Sequence, residues 1–172
     1  MSFYFCGGFM RTKDVVVLSY QESWKDDFEQ ISKELQEAAG KLILRIEHVG
    51  STSVQGLSAK PIIDIDLVVS DDTDLTEVID SLSKIGYVHE GNLGIEGREA
   101  FAYSGKEHLQ LHHLYVCPES SCELKRHLAF RDYLRCHPEA VQVYGEVKEK
   151  AAQLFPKDID SYIAYKSTII EQ

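Results

Sequence analysis

His48 to Asp66, HVGSTSVQGLSAKPIIDID, is the stretch that decides how the rest of this chain is read. Its second half continues as PIIDIDLVV (Pro61 to Val69), rich in β-branched residues and bounded by turn residues, the pattern of a buried strand. Side chains alternate across a strand, so Asp64 and Asp66 leave it on the same side, about 7 Å apart along the chain. Two carboxylates on one face of an otherwise apolar strand are costly unless a cation neutralises them. Magnesium takes one or two carboxylates and completes its shell with substrate phosphates, which suits the pair; manganese accepts the same oxygen ligands.

The first half supplies the complement. Leu42 to Val49 reads as a strand, and Gly50-Ser51-Thr52-Ser53 then places small residues where the backbone has to bend. Backbone N–H groups and hydroxyls in such a turn can cradle a phosphate. Gly50, Ser51 and Thr52 are therefore candidate phosphate-binding residues, and Asp64 and Asp66 are the candidate catalytic and metal-holding pair. Either signal alone is common in loops and on solvated faces; together, in one hydrophobic unit, they predict a metal–phosphate site. Lys60, just ahead of the Asp strand, is the strongest single cation for the same phosphates. His48 precedes the turn, either to orient it or as an ordinary hydrogen-bonded histidine.

The segment EHVGSTSVQGLSAKPIIDIDLVV resembles the core motif of the GrpB family. A Gly-Ser turn followed by Asp-x-Asp on a strand is also similar to the nucleotidyltransferase superfamily, the fold of DNA polymerase beta. GYVHEGNLGIEGREAFAY, HLQLHHLYVC, ELKRHLAFRDYLRCHPE and FPKDIDSYIAYKS resemble the same family pattern, so the likeness covers residues 15 to 170. It implies an α+β fold: a mixed β-sheet packed with α-helices, the C-terminal helices in the same domain, and residues 15–172 as one unit. It also implies a nucleoside triphosphate, or another phosphorylated small molecule, bound with magnesium or manganese while an acceptor attacks the α-phosphate. Active superfamily members add a third carboxylate from a later strand. HLQLHHLYV contains no Asp or Glu, which leaves Glu99 or Glu47 as substitutes. Some GrpB-family domains are fused to dephospho-CoA kinase, which implies an alternative: a non-catalytic phospholigand-binding module near coenzyme A metabolism.

Composition narrows the classes. At 172 residues, with 44% hydrophobic and 27% charged residues, the chain has the makings of one soluble domain with a real core. A net charge of −10 argues against a broad nucleic-acid surface while leaving room for a small positive pocket. Cys6, Cys117, Cys122 and Cys136 lack C-x-x-C spacing, so reduced thiols and a cytoplasmic location are expected. No apolar run has the length of a membrane-spanning helix. The opening MSFYFCGGFM has neither the basic start nor the apolar run of a signal peptide. Residues 1–14 are read as an arm: disordered, an extra edge strand, or a start-site artefact.

Along the chain, Val15 to Tyr20 reads as a short strand. Ser23 is the expected N-cap of a helix whose stripe is Trp24, Phe28, Ile31, Leu35 and Ala38, ended by Gly40. Trp24 is expected in the core. Asp71 to Asp74 caps a second helix, with Leu75, Val78, Ile79, Leu82 and Ile85 inward and Gly86 at its close. YVHEG reads as a strand, Asn92 to Gly97 as a glycine-punctuated loop, and REAFAYSG with HLQLHHLYV as an antiparallel hairpin around Gly105. Three helices follow: one from Ser120 to Cys136, one opening with Pro138, and one over Ile159 to Ile170.

Further cations are needed around a triphosphate. Arg98, Arg126 and Arg131 are the candidates, whereas Lys125 and Arg135 read as a solvated face. Strand alternation places His108, Gln110 and His112 together and His113 opposite. Gln110 and His112 are therefore expected to flank the Asp pair and meet substrate. A zinc site using His108 and His112 lacks a completing ligand set.

Overall fold

The computed structural model describes residues 3–4, 11–12 and 14–170. Most of the N-terminal arm expected over 1–14 lies outside these, as does Cys6. Within it, β1 (Phe3–Tyr4) and β2 (Arg11–Thr12) pair antiparallel. Then follow α1 (Ser23–Ala39), β3 (Ile43–Val49), a 3-10 turn (Ser51–Ser53), β4 (Ile63–Val69), α2 (Leu75–Ser83), β5 (Tyr87–Gly91), β6 (Glu99–Tyr103), β7 (His112–Pro118), α3 (Cys122–Cys136), α4 (Pro138–Leu154) and α5 (Ile159–Ile170).

Strands β3 to β7 form one mixed sheet in the order β3-β4-β7-β6-β5, with β4 and β7 parallel and the other neighbours antiparallel. The fold is α+β, with helices on both faces. Alternation along β4 assigns the faces. Ile63, Ile65, Leu67 and Val69 pack with Ile31 and Leu35 of α1 and Val78 and Leu82 of α2. Val68 joins Tyr115, Cys117 and Leu124 of α3 on the other side, and Asp64 and Asp66 share its parity. A strand covered on both faces explains the unbroken apolar run around the acids.

Several local expectations are corrected. Val15 to Tyr20 is not a strand; Leu18 alone bridges Ala59, through two backbone hydrogen bonds of 2.8 Å. Ser23 begins α1 rather than capping it, and Glu22 is the cap. Asp74 does cap α2, accepting from the Thr76 N–H at 2.8 Å, and Ser121 caps α3 through Leu124 N–H. The antiparallel pairing expected around Gly105 forms between β6 and β7, but through a longer connection than a tight turn at Gly105. β7 begins at His112, and the connection before it is pinned to α1, where Glu34 accepts from Lys106 at 2.8 Å and pairs with His108.

Moving the strand start moves the histidines. The parallel register sets His112 beside Ile63 and His113 beside Asp64. His112 consequently faces the α1–α2 core, 1% exposed, stacked on Tyr103 at 4.2 Å and hydrogen-bonded to the Tyr87 hydroxyl at 2.7 Å. Burial, aided by Lys106 and His113 against the Gln110 carbonyl, lowers its pKa from 6.5 to about 4. The unfolded chain therefore binds the extra proton in that window, so stability falls as pH drops through it. In His112→Gln the loss of stability between about pH 7 and pH 4.5 should shrink by about 2 kcal/mol, read by urea unfolding at each pH. An undiminished loss would show that this imidazole does not set the slope.

Candidate functional site

The turn and the Asp strand touch. Gly50 adopts φ +68°, and a Cβ there would lie 2.3 Å from Asp64 Oδ2, so only glycine fits. The Ser53 hydroxyl closes the turn on the Gly50 carbonyl at 2.6 Å. Thr52 donates to the Ile62 carbonyl at 3.4 Å and accepts from His48 Nε2 at 2.9 Å, which places the His48 proton on that nitrogen. Burial, with Arg135 and Arg131 against Asp64, pushes His48 down to about 4, so it is neutral at pH 7. Both readings of His48 meet here: it orients the turn, and it does so as a hydrogen-bonded structural histidine stacked on Phe28.

The two acids share a face but not an environment. Asp64 is partly open; its Oδ1 accepts from His113 Nδ1 at 2.9 Å. Burial works to raise its pKa, yet His113, Lys60 and Lys166 hold it below the ordinary carboxylate range. Asp66 is fully buried, which raises its pKa. Its Oδ2 meets His127 Nδ1 of α3 at 2.7 Å, and its Oδ1 has no hydrogen-bond partner among the described residues. Glu123 lies 3.6 Å beyond His127.

Beside Asp64 is a cavity of about 70 Å³ into which Lys60, Lys148 of α4 and Lys166 of α5 converge, closed by Ser51, Thr52 and Tyr162. Lys148 is 1% exposed, and its Nζ has no hydrogen-bond partner among the described residues; Nζ sits 4.6 Å from the centre of the Tyr144 ring. Burial and the neighbouring Lys166 drive its pKa well down, against Asp64 and Glu149. Lys60 and Lys166 are lowered too, chiefly by burial. Three lysines and one carboxylate thus line the same small space, so its lining carries an excess of basic groups.

Of the expected residues, the structure brings together Gly50, Ser51, Thr52, Lys60, Asp64 and Asp66. Arg98 is close by: it is buried, its guanidinium lies 4.2 Å from the Tyr115 ring centre, and it acts on Asp66. The others are elsewhere. Gln110 donates to the Pro61 carbonyl at 2.6 Å, and His112 is on the opposite face. Arg126 is exposed and pairs with Glu123 at 3.3 Å. Arg131 is engaged by Glu47 at 2.7 Å, the His48 carbonyl at 3.1 Å and Asp132 at 2.8 Å. Arg135 is exposed, as expected of a solvated face, and also holds the Ser53 carbonyl.

As for a third acid, Glu99 sits in register with Val116, on the core side, and bonds His89 at 2.6 Å. Glu47 lies opposite Asp66 on the same face but is held by Arg45 at 3.0 Å and by Arg131. Among the described residues no three His, Cys, Asp or Glu side chains gather as a metal-binding group. Cys117, Cys122 and Cys136 are free thiols, and no helix among the described residues is long and apolar enough to cross a membrane.

The GrpB protein family model matches residues 14–172. The chain belongs to the GrpB family. The UPF0157 protein YqkA of Bacillus subtilis is 33% identical over 92% of this chain, and this chain spans only 46% of that protein's length. Glutamate-rich protein GrpB of Alkalihalophilus pseudofirmus is 31% identical, over 92% of this chain and 93% of that one. The crystal structure of conserved protein GrpB from Enterococcus faecalis superimposes with TM-score 0.78 at 34% identity, over 90% of this chain and 94% of that one. The Cid1 poly(U) polymerase, solved bound to MgATP, matches at TM-score 0.54 and 7% identity over 76% of this chain and 45% of that one, a likeness of fold alone. The GrpB fold is thus nucleotidyltransferase-like. A dephospho-CoA kinase of Mycolicibacterium paratuberculosis is 26% identical over 83% of this chain, which spans 41% of it.

The Gly50 contact yields a direct test. Gly50→Ala should lose about 1–3 kcal/mol more than Gly56→Ala, because both strain a left-handed backbone but only the first meets a carboxylate. Chemical denaturation of the two variants side by side measures the difference; equal losses would sink the packing account.

Proposed function

We propose that the protein binds the phosphates of a nucleoside triphosphate, or of a similar phosphorylated small molecule, together with one divalent cation, and transfers a nucleotidyl group. The observation that carries this reading is the convergence of Lys60, Lys148 and Lys166 on Asp64 beside the Gly50–Ser51 turn. Three desolvated ammonium groups with one carboxylate among them are unfavourable until an anion fills the space. A phosphate chain satisfies them, and the Ser51 turn offers backbone N–H groups to the same oxygens.

The acid pair fits a cation in a limited way. Asp64 and Asp66 project from one face, and Asp66 Oδ1 is a buried oxygen without a partner among the described residues. Two carboxylates leave most of the coordination to water and substrate phosphate, the usual habit of magnesium, and manganese fits equally. When bound, such an ion neutralises phosphate charge and polarises the reacting phosphorus. The chain's own groups do the rest. The lysines hold the β- and γ-phosphates, and Arg98 adds positive potential near Asp66. His113 and His127 fix the carboxylate rotamers through Nδ1. As the acceptor oxygen bonds to the α-phosphorus, the bond to the bridging oxygen breaks and pyrophosphate leaves into the lysine cavity with its negative charge matched. Catalysis in a reducing cytoplasm agrees with the free thiols.

A second reading keeps the ligand and drops the reaction: a phospholigand-binding module. The engagement of Glu47, the acid beside the pair, by Arg45 and Arg131 favours it, and likeness to a dephospho-CoA kinase directs the ligand search towards coenzyme A precursors.

Nucleotides with magnesium or manganese should raise the melting temperature, EDTA should reverse much of the gain, and Asp64→Asn should abolish pyrophosphate release without unfolding the protein. Stabilisation without turnover over a broad acceptor panel selects the second reading, and no stabilisation by any phosphorylated ligand removes both. Lys148→Met separates function from stability. Removing a buried amine that has no hydrogen-bond partner among the described residues should stabilise the ligand-free protein by about 1–3 kcal/mol while weakening phosphate binding about tenfold or more. A destabilised Lys148→Met protein that still binds phosphate normally would contradict the assignment of this cavity.

A further inference from the structure

Across the Gly50–Ser53 turn from the lysines is a second cavity, of about 710 Å³, within the size range of small-molecule sites. Thr52 lines both cavities, so one turn separates them. Tyr20, Leu134, Pro138 and Val141 give the larger one apolar walls, and Lys25 and Arg135 are its cations. We propose that it binds a small organic anion: a flat apolar or aromatic body carrying one carboxylate or phosphate head. If the nucleotidyl-transfer reading holds, on which this last step alone rests, that anion is the second substrate.

Charge carries the argument. The chain as a whole has net charge −10, yet no Asp or Glu is among the described residues lining this cavity. Arg135 donates from Nε and Nη2 to the Ser53 carbonyl at 3.1 and 2.8 Å and makes no ion pair with a carboxylate among the described residues. Its remaining N–H groups are free to take a planar acidic head, for which a guanidinium is suited. Among the described residues Lys25 pairs with exposed Glu22 at 3.5 Å, a weak, solvent-screened contact. His48, neutral and committed to Thr52, contributes no opposing charge. The Tyr20 ring, braced edge-on against Trp24 at 5.5 Å, offers a flat apolar surface for the body of the ligand.

The geometry also explains why Arg135 acts on the turn. An anion drawn to the guanidinium lies against the residue that holds Ser53, and Ser53 in turn closes on Gly50. Occupancy of the large cavity therefore bears on the turn that faces the lysines.

Amide-resolved NMR of the full chain, titrated with phenyl phosphate, benzoate and uncharged benzyl alcohol, tests the proposal. Saturable shifts at Thr52, Gln55, Arg135 and Gln142 are expected with either anion, and binding at least about tenfold weaker with the alcohol. The tighter anion identifies the head as phosphate or carboxylate. Arg135→Gln should weaken both anions about tenfold and leave the alcohol unchanged, and Val141→Trp, which intrudes on the apolar wall, should weaken all three. No saturable shift at these residues, or equal binding of the alcohol, overturns the proposal. MgATP added to the benzoate complex separates the two sites. Shifts at Ser51 and Lys148 with benzoate retained support two sites, whereas displacement of benzoate assigns the cavity to the nucleotide and overturns the second-substrate role. Benzoate binding that persists while MgATP shifts nothing sinks the nucleotide reading and leaves the anion site standing.

Discussion

Desolvation of two carboxylates on one strand is the constraint that organises this molecule. β4 is covered on both faces, so Asp66 has no access to water and Asp64 only a part of what a surface acid has. The charges that compensate them come from almost every element on that side. His113 is on β7, His127 on α3, Lys148 on α4 and Lys166 on α5, with Lys60 just before β4 itself. On the other face the same strand packs into the main apolar core, with His112 beside Ile63. The C-terminal helices thus supply charge as well as cover, and each supplies a different cation or donor.

That compensation overshoots around Asp64. One carboxylate would need one cation for neutrality, and the cavity holds three. Lys148 is almost completely buried without a partner among the described residues, an arrangement that lowers stability relative to an apolar residue of similar size. Such a group is retained when it serves something other than the fold. On the proposed reading the surplus matches the negative charge of the bound phosphates, so stability surrendered in the empty protein is recovered as binding.

Reading the sequence alone reached far in some places and failed in others, for definite reasons. The β4 strand, the Gly50 turn, the capped α2 helix and the Pro138 opening of α4 follow from local patterns of burial, capping and turn chemistry, and they stand in the structure. His112 and His113 do take opposite faces, but the expectation that the His112 face meets the acids failed, and HLQLHHLYV is not strand throughout. Lys106 and His108 tie its beginning to Glu34 of α1, a contact 72 and 74 residues distant that no local periodicity reports. With the strand starting at His112, register with β4 chose His113 for the acidic face. Lys148 was hidden by the habit of sending helical lysines to solvent. Its signal was nonetheless present: Val141, Tyr144, Gly145, Lys148 and Ala151 form one buried stripe, and a lysine inside an apolar stripe is the anomaly to notice.

The inequality of the two acids bears on how many cations the proposed chemistry can use. Asp64 is partly exposed, touches the Gly50 turn and faces the lysines, whereas Asp66 is fully buried and closed by His127. A two-ion clamp needs more carboxylate ligands than this pair supplies. Glu47 stands in the right row opposite Asp66, but Arg45 and Arg131 hold it, and turning it towards a cation would give up both of those ion pairs. On the proposed reading a single cation at the Asp64 side is therefore sufficient. The charge that a second ion would neutralise elsewhere falls here to the lysines of α4 and α5.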